Sequence, residues 1–85
     1  MELERYRALT CAIEGGSLSA AAEKLQYTPS GISRMIAALE EEIGFSLLLR
    51  ERSGVRPTHE CEKILPAVYE LLRAGENCKD RKSVV

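Results

Sequence analysis

Ser30, Gly31, Ser33, Arg34 and Ala37 share one face of the stretch Y-T-P-S-G-I-S-R-M-I-A-A-L-E-E-E-I-G, from Tyr27 to Gly44. Their side chains are small or hydrogen-bonding, with one guanidinium and no carboxylate. A helix face that is merely solvated mixes Glu and Lys. A small, donor-rich face can instead press against another polar surface, and the major groove of DNA admits a helix. Other chemistry finds little support. His59 is the only histidine, and Cys11, Cys61 and Cys78 form no C-x-x-C pair. They make neither a disulfide framework nor a zinc site, and His59 with Cys61 and Cys78 lacks metal-ligand spacing. There is no Gly-rich phosphate loop, and Glu40, Glu41 and Glu42 are grouped rather than paired across a pocket. No catalytic residue, metal or cofactor is expected.

A net charge of −1 over 85 residues counts against a nucleic-acid partner. The distribution partly restores it. Arg50, Arg52 and Arg56 lie close together with only Glu51 among them. A local basic patch can still contact phosphates, with weak and salt-sensitive non-specific affinity. The length allows one domain, and 45% hydrophobic residues with no Trp and one Phe imply an aliphatic core. No apolar run is long enough to span a membrane, and charged residues follow Met1, so neither a membrane segment nor a signal peptide is expected. The expected location is the cytoplasm.

Four helices and a hairpin must position these groups. Leu3, Tyr6, Leu9 and Ile13, with Ala12 beside them, predict a helix over 2–14 that Gly15 and Gly16 stop. Cys11 reads as a small packed residue rather than a nucleophile. Ser17 opens a short helix from Leu18 to Gln26, with Leu18, Ala21, Ala22 and Leu25 facing the core. After the turn Gln26-Tyr27-Thr28 comes the central helix. Thr28 is its N-cap, Pro29 suits the first position, and Gly44 ends it in the left-handed conformation. Ile32, Ile36, Leu39 and Ile43 form its buried stripe. Two short helices joined by a tight turn make a helix-turn-helix, and the same pattern fits an ordinary three-helix bundle.

Residues 45–50 then read as a strand, Glu51-Arg52-Ser53-Gly54 as a turn, and Val55-Arg56-Pro57-Thr58 as the returning strand, which Pro57 confines to an edge. Such a hairpin is a wing. Its tip carries Arg52, either reaching a minor groove or a phosphate or simply solvated. Thr58 caps a last helix from about His59, whose first turns hold Glu60 and Glu62. Cys61, Ile64, Val68, Leu71, Gly75 and Cys78, flanked by Leu65 and Leu72, repeat at heptad spacing, with a bend predicted at Pro66. So small a domain cannot bury that surface alone. A second copy would cover it; the alternative is a fold-back on the first helix. From Gly75 the chain turns polar, and fraying is expected.

The chain resembles the DNA-binding domain and linker helix of LysR-type bacterial transcriptional regulators. The resemblance rests on M-E-L at the start, G-S-L-S-A-A-A-E-K-L (16–25), T-P-S-G-I-S-R-M-I-A-A-L-E-E-E-I-G (28–44), L-L-L-R (47–50), R-S-G-V-R-P-T (52–58) and L-P (65–66). It implies a winged helix-turn-helix, a linker helix that pairs antiparallel with its twin, and dimers or tetramers on operator DNA. By position it implies that Thr28, Pro29, Ser30, Ser33 and Arg34 are the recognition-helix contacts and Arg52 the wing arginine. Two positions depart from the family pattern: Cys61 stands where Gly is usual, and Pro57 where Leu is frequent. Both bear on the hinge between wing and linker. The effector-binding domain of such regulators has no counterpart here, which reads as a DNA-binding fragment without a small-molecule effector.

The expectation is therefore a mainly α fold. A winged helix-turn-helix of three helices and a β-hairpin occupies 1–58, and a dimerising linker helix with a frayed end occupies 59–85. Its function is sequence-specific double-stranded DNA binding, with the recognition helix in the major groove and the wing on the backbone or minor groove. It pairs as a homodimer through Ile64, Leu65, Val68, Leu71 and Leu72, and as a higher oligomer in a full-length form. An enzyme and a helical protein-interaction domain are the rivals. The enzyme lacks chemistry, and salt-dependent, sequence-selective duplex binding separates the second.

Overall fold

The computed structural model describes the backbone of residues 3–84 and the side chains of residues 3–75. The elements in order are α1 (Leu3–Gly15), α2 (Leu18–Leu25), α3 (Pro29–Ile43), β1 (Leu48–Glu51), β2 (Gly54–Pro57) and α4 (His59–Val84). The fold is mainly helical with a two-stranded antiparallel wing, as the sequence predicts.

Local capping chemistry sets the helix ends. The Ser17 hydroxyl accepts the Ala20 N–H and starts α2. The Thr28 hydroxyl accepts the Gly31 N–H at 3.0 Å, Pro29 takes the first position, and Gly44 closes α3 at φ 90° with its N–H on the Glu40 carbonyl. α2 ends one residue earlier than its pattern suggests. Gln26 is left-handed at φ 63°, and the Tyr27 N–H returns to the Ala22 carbonyl at 2.9 Å. This is a Schellman-type stop made by a residue with a Cβ, which glycine usually replaces.

The core has two parts. Ala8, Cys11 and Ala12 of α1 meet Ala21 and Ala22 of α2 and Ile32 and Ile36 of α3. Leu9, Leu39, Leu47 and Cys61 form the second part, with Tyr6, Ile43, Phe45, Ile64 and Leu65 packed on it. The expected α1 stripe is thus corrected: Ala8, Thr10, Cys11 and Ala12 are buried beside Leu9, whereas Leu3, Tyr6 and Ile13 are half-buried. α1 lies between the α2–α3 pair and α4, so it buries more than one face.

The wing is held at both ends. The Glu40 carboxylate accepts the N–H groups of Leu47 (2.7 Å) and Leu48 (3.3 Å), tying α3 to the start of β1. The ladder pairs Leu48 with Pro57, Leu49 with Arg56, Arg50 with Val55 and Glu51 with Gly54, leaving Arg52-Ser53 as a two-residue turn. Beyond it, the Val55 N–H donates to the Gly16 carbonyl at 2.9 Å. Gly54 sits at φ 138°, and a Cβ there would overlap the Gly16 carbonyl oxygen. Gly54→Ala is expected to destabilise the chain by about 1–3 kcal/mol through backbone strain alone. A lowered urea midpoint checks this; an unchanged midpoint would mean that the wing is not docked on the α1–α2 loop.

Thr58 is the joint to α4. Its N–H donates to the Leu47 carbonyl, and its hydroxyl donates to the Ser46 carbonyl at 2.7 Å and accepts the Cys61 N–H at 3.1 Å. α4 continues through Pro66, whose ring leaves the Glu62 carbonyl without its intrahelical donor. It also continues past Gly75 to Val84, where the polar text predicts fraying. Glu76, Lys79, Arg81 and Lys82 are polar but good helix formers. The place of Cys78 in the seam lies outside the described side chains.

The heptad seam divides. Cys61 (0% exposed), Val68 (4%) and Leu72 (8%) are buried within one chain, where α4 packs along α1. A Cβ on Gly75 would stand 2.9 Å from the Leu3 side chain, so the two helices approach closely there. Ile64, Leu65 and Leu71 are half-buried. The fold-back on the first helix thus accounts for Val68 and Leu72, which the spacing alone assigns to a pairing seam.

Candidate nucleic-acid interface

Ile32, Ile36 and Leu39 anchor α3 in the core and turn its opposite face outward. On that face Thr28, Pro29, Ser30, Arg34 and Ala37 are exposed, and Ser33 is half-buried. The structure therefore brings together five of the six predicted DNA-contact residues at one helix end. The first turn of α3 contains no acid. Nothing there offsets the positive end of the helix dipole, which favours an approaching anion such as phosphate. The Thr28 hydroxyl is engaged as the cap and lies 3.3 Å from the Ser30 hydroxyl, so its first role is to shape the helix start. The Tyr27 hydroxyl donates to Glu4 at 3.2 Å, pinning the turn to α1.

The sixth residue, Arg52, stands at the exposed wing turn. Neither Arg52 nor Arg34 has a hydrogen bond or ion pair among the described residues. The basic cluster predicted from sequence is otherwise divided. Arg56 pairs with Glu51 at 3.1 Å on the wing's outer side. Arg50 turns toward α3, where its Nη2 donates to the Ser33 hydroxyl at 2.7 Å. Arg50 was not among the expected site residues. Its signal was present in the two-residue period of a strand: Leu48 packs inward, so Arg50 shares its face.

Elsewhere the chemistry is quiet. A cleft of about 440 Å³ between α1, α2 and α4 is lined by Arg7, Cys11, Glu14, Lys24, Tyr69 and Arg73 among others, with no residue of α3 or the wing. Burial pushes the Cys11 thiol up, and pushes Cys61 up to about 11. Both stay protonated near neutral pH and are poor nucleophiles. Burial, with the 2.8 Å hydrogen bond to Glu14, pushes Tyr69 up to about 12. Among the described residues no group of three or more His, Cys, Asp or Glu could hold a metal ion. No described helix is long and apolar enough to cross a membrane.

The geometry agrees with known proteins. A crystal structure of the CbnR_DBD–DNA complex superposes with a TM-score of 0.87 at 27% identity, covering 99% of this chain and 97% of that one. A BenM_DBD complex with benA site 1 DNA does so with a TM-score of 0.86 at 31% identity, covering 98% and 93%. The probable HTH-type transcriptional regulator LrrA of Synechococcus elongatus is 41% identical over 77 residues, which are 91% of this chain and 26% of LrrA. The chain thus spans about a quarter of the length of that curated relative. The family described as bacterial regulatory helix-turn-helix protein, lysR family, matches residues 3–62. With that match across the three-helix unit, the wing and the start of α4, the chain belongs to the lysR family of bacterial regulatory helix-turn-helix proteins.

Proposed function

We propose that this chain binds duplex DNA sequence-specifically as a homodimer in the bacterial cytoplasm, and that it is not an enzyme. Residues 1–58 read the site, and α4 joins two copies. The observation that carries this is the outward N-terminal half of α3: Ser30, Ser33 and Arg34 on a core-anchored helix, without an acid in its first turn. In this reading Ser30, Ser33 and Arg34 meet base edges or phosphates in the major groove, Thr28 and Pro29 set the helix start against the backbone, and Arg52 holds a phosphate or enters the minor groove. The solved complexes of similar domains with DNA support the reading.

Pairing through α4 is supported by apolar surface left over within one chain. Ile64, Ala67 and Leu71 border a groove with Tyr6 and Val68. Ile64 and Leu71 are half-buried and Ala67 is exposed. Leu65 is half-buried against the second core cluster, and Val68 and Leu72 are buried in the chain, so these three back the surface from beneath.

Titration of a labelled duplex across a salt series tests the DNA reading. Log K should fall linearly with log salt. Arg52→Ala should flatten that slope by about one phosphate contact, roughly 0.9. An unchanged slope with unchanged affinity would remove the wing from the interface, and a chain indifferent to both salt and sequence would contradict DNA binding.

A further inference from the structure

We propose that Arg50 holds one backbone phosphate of the duplex, on the sugar–phosphate strand that separates the major groove entered by α3 from the minor groove beside the wing. The proposal rests on the DNA-binding reading above and adds to it a phosphate contact with a fixed place.

The three clustered arginines differ in how their charge is answered. Arg56 is paired with Glu51 at 3.1 Å. Arg52 stands at the exposed wing turn, with no hydrogen bond or ion pair among the described residues. Arg50 is exposed and yet held, its Nη2 donating to Ser33 Oγ at 2.7 Å. That partner is neutral. A carboxylate would cancel much of the guanidinium charge, whereas a hydroxyl directs the group and leaves the charge whole. A guanidinium has five N–H donors, and Ser33 takes one of them. The others form a fork that suits phosphate oxygens. Ser33 keeps a second lone pair and its own proton, so it remains available to the groove as well. Holding Arg50 before DNA arrives lowers the ordering cost of the contact.

The position of Arg50 selects the phosphate. Ser33 lies on the outward half of α3, and Arg52 lies two residues beyond Arg50 at the wing turn. Glu40 accepts the N–H groups of Leu47 and Leu48, which sets the start of β1 against α3. Helix and wing therefore flank Arg50 at a fixed spacing. In a duplex, one sugar–phosphate backbone divides a major groove from the minor groove next to it. With α3 in the first and the wing at the second, that backbone crosses the gap where Arg50 stands.

The test measures the salt dependence of duplex binding for wild type, Arg50→Gln, Arg50→Lys and Arg56→Gln, each checked for folding by circular dichroism. Gln keeps a side-chain N–H donor for Ser33 without the charge, and Lys keeps the charge without the fork. Each neutralised phosphate contributes about 0.9 to the slope of log K against log salt. Arg50→Gln should flatten the slope by about 0.9, and Arg50→Lys should retain it. Arg56→Gln removes the same charge from an ion pair on the wing's outer side and should leave the slope unchanged. A panel of single-base duplex variants should give the same preferences for Arg50→Gln as for wild type, because a phosphate carries no base identity. A wild-type slope in Arg50→Gln would overturn the proposal and leave Arg50 as a brace for Ser33. An equal flattening in Arg56→Gln would overturn it as well, since overall charge would then explain the effect. So would an altered preference at one base, which would make Arg50 a base reader. The DNA-binding reading survives all three of these results. A wild-type chain indifferent to salt and sequence would overturn that reading and this proposal together.

Discussion

Leu71→Glu is expected to give a folded monomer whose affinity for a duplex with two half-sites falls by roughly 10²–10⁴-fold. Leu71 is half-buried at the edge of the groove formed with Tyr6, Ile64, Ala67 and Val68. In one chain a carboxylate there can remain in water, so helical content should persist. Between two copies it would be buried without a partner, at a cost of several kcal/mol that a small helix pair cannot offset. Two recognition helices read a palindromic site only when a dimer holds them about 34 Å apart, or a multiple of it. A chain of net charge −1 gains little from non-specific attraction and depends on joining two half-sites. Light scattering, circular dichroism and a binding titration on one sample check all three parts. A variant that stays dimeric would move the pairing surface elsewhere. The same charge at Val68 should instead unfold the chain, because that side chain is buried within the monomer.

Arg34→Ala should weaken specific binding by about 1–3 kcal/mol and relax sequence preference at one position. Ile32 and Ile36 flank Arg34 in sequence and are buried, so the helix that carries it is firmly seated. Arg34 itself is exposed and has no hydrogen bond or ion pair among the described residues. Its loss should therefore leave stability nearly unchanged and appear in binding alone. Titration against a panel of single-base duplex variants separates two roles for it. Relaxed preference at one base marks readout, whereas a uniform loss across the panel would reassign Arg34 to a phosphate.

Local chemistry made much of this legible in sequence. Thr28, Pro29 and Gly44 mark both ends of α3 because caps depend on residues adjacent in the chain. The stop of α2 was less visible, since Gln26 adopts a left-handed backbone that sequence rules reserve for glycine or asparagine. α1 was read as a single stripe because periodicity does not say how many neighbours a helix has. The α4 repeat was read as one seam for a related reason. Heptad spacing is the same whether the partner is α1 of the same chain, as for Val68 and Leu72, or another copy, as we propose for Leu71. Contacts distant in sequence were the least legible. Glu40 looked like one charge among three at a helix end, yet its carboxylate holds the start of the wing. Arg50 looked like part of a basic cluster, yet it reaches Ser33 across 17 positions of the chain.

The most direct measurement is selection of bound sequences from a random duplex pool by the wild-type chain. The account predicts enrichment of a palindromic or near-palindromic site, with half-site centres about 10–10.5 base pairs apart or a multiple of that, and binding that weakens as salt rises. Recovery of a pool no different from the input, at salt low enough for the chain to bind duplex at all, would contradict it.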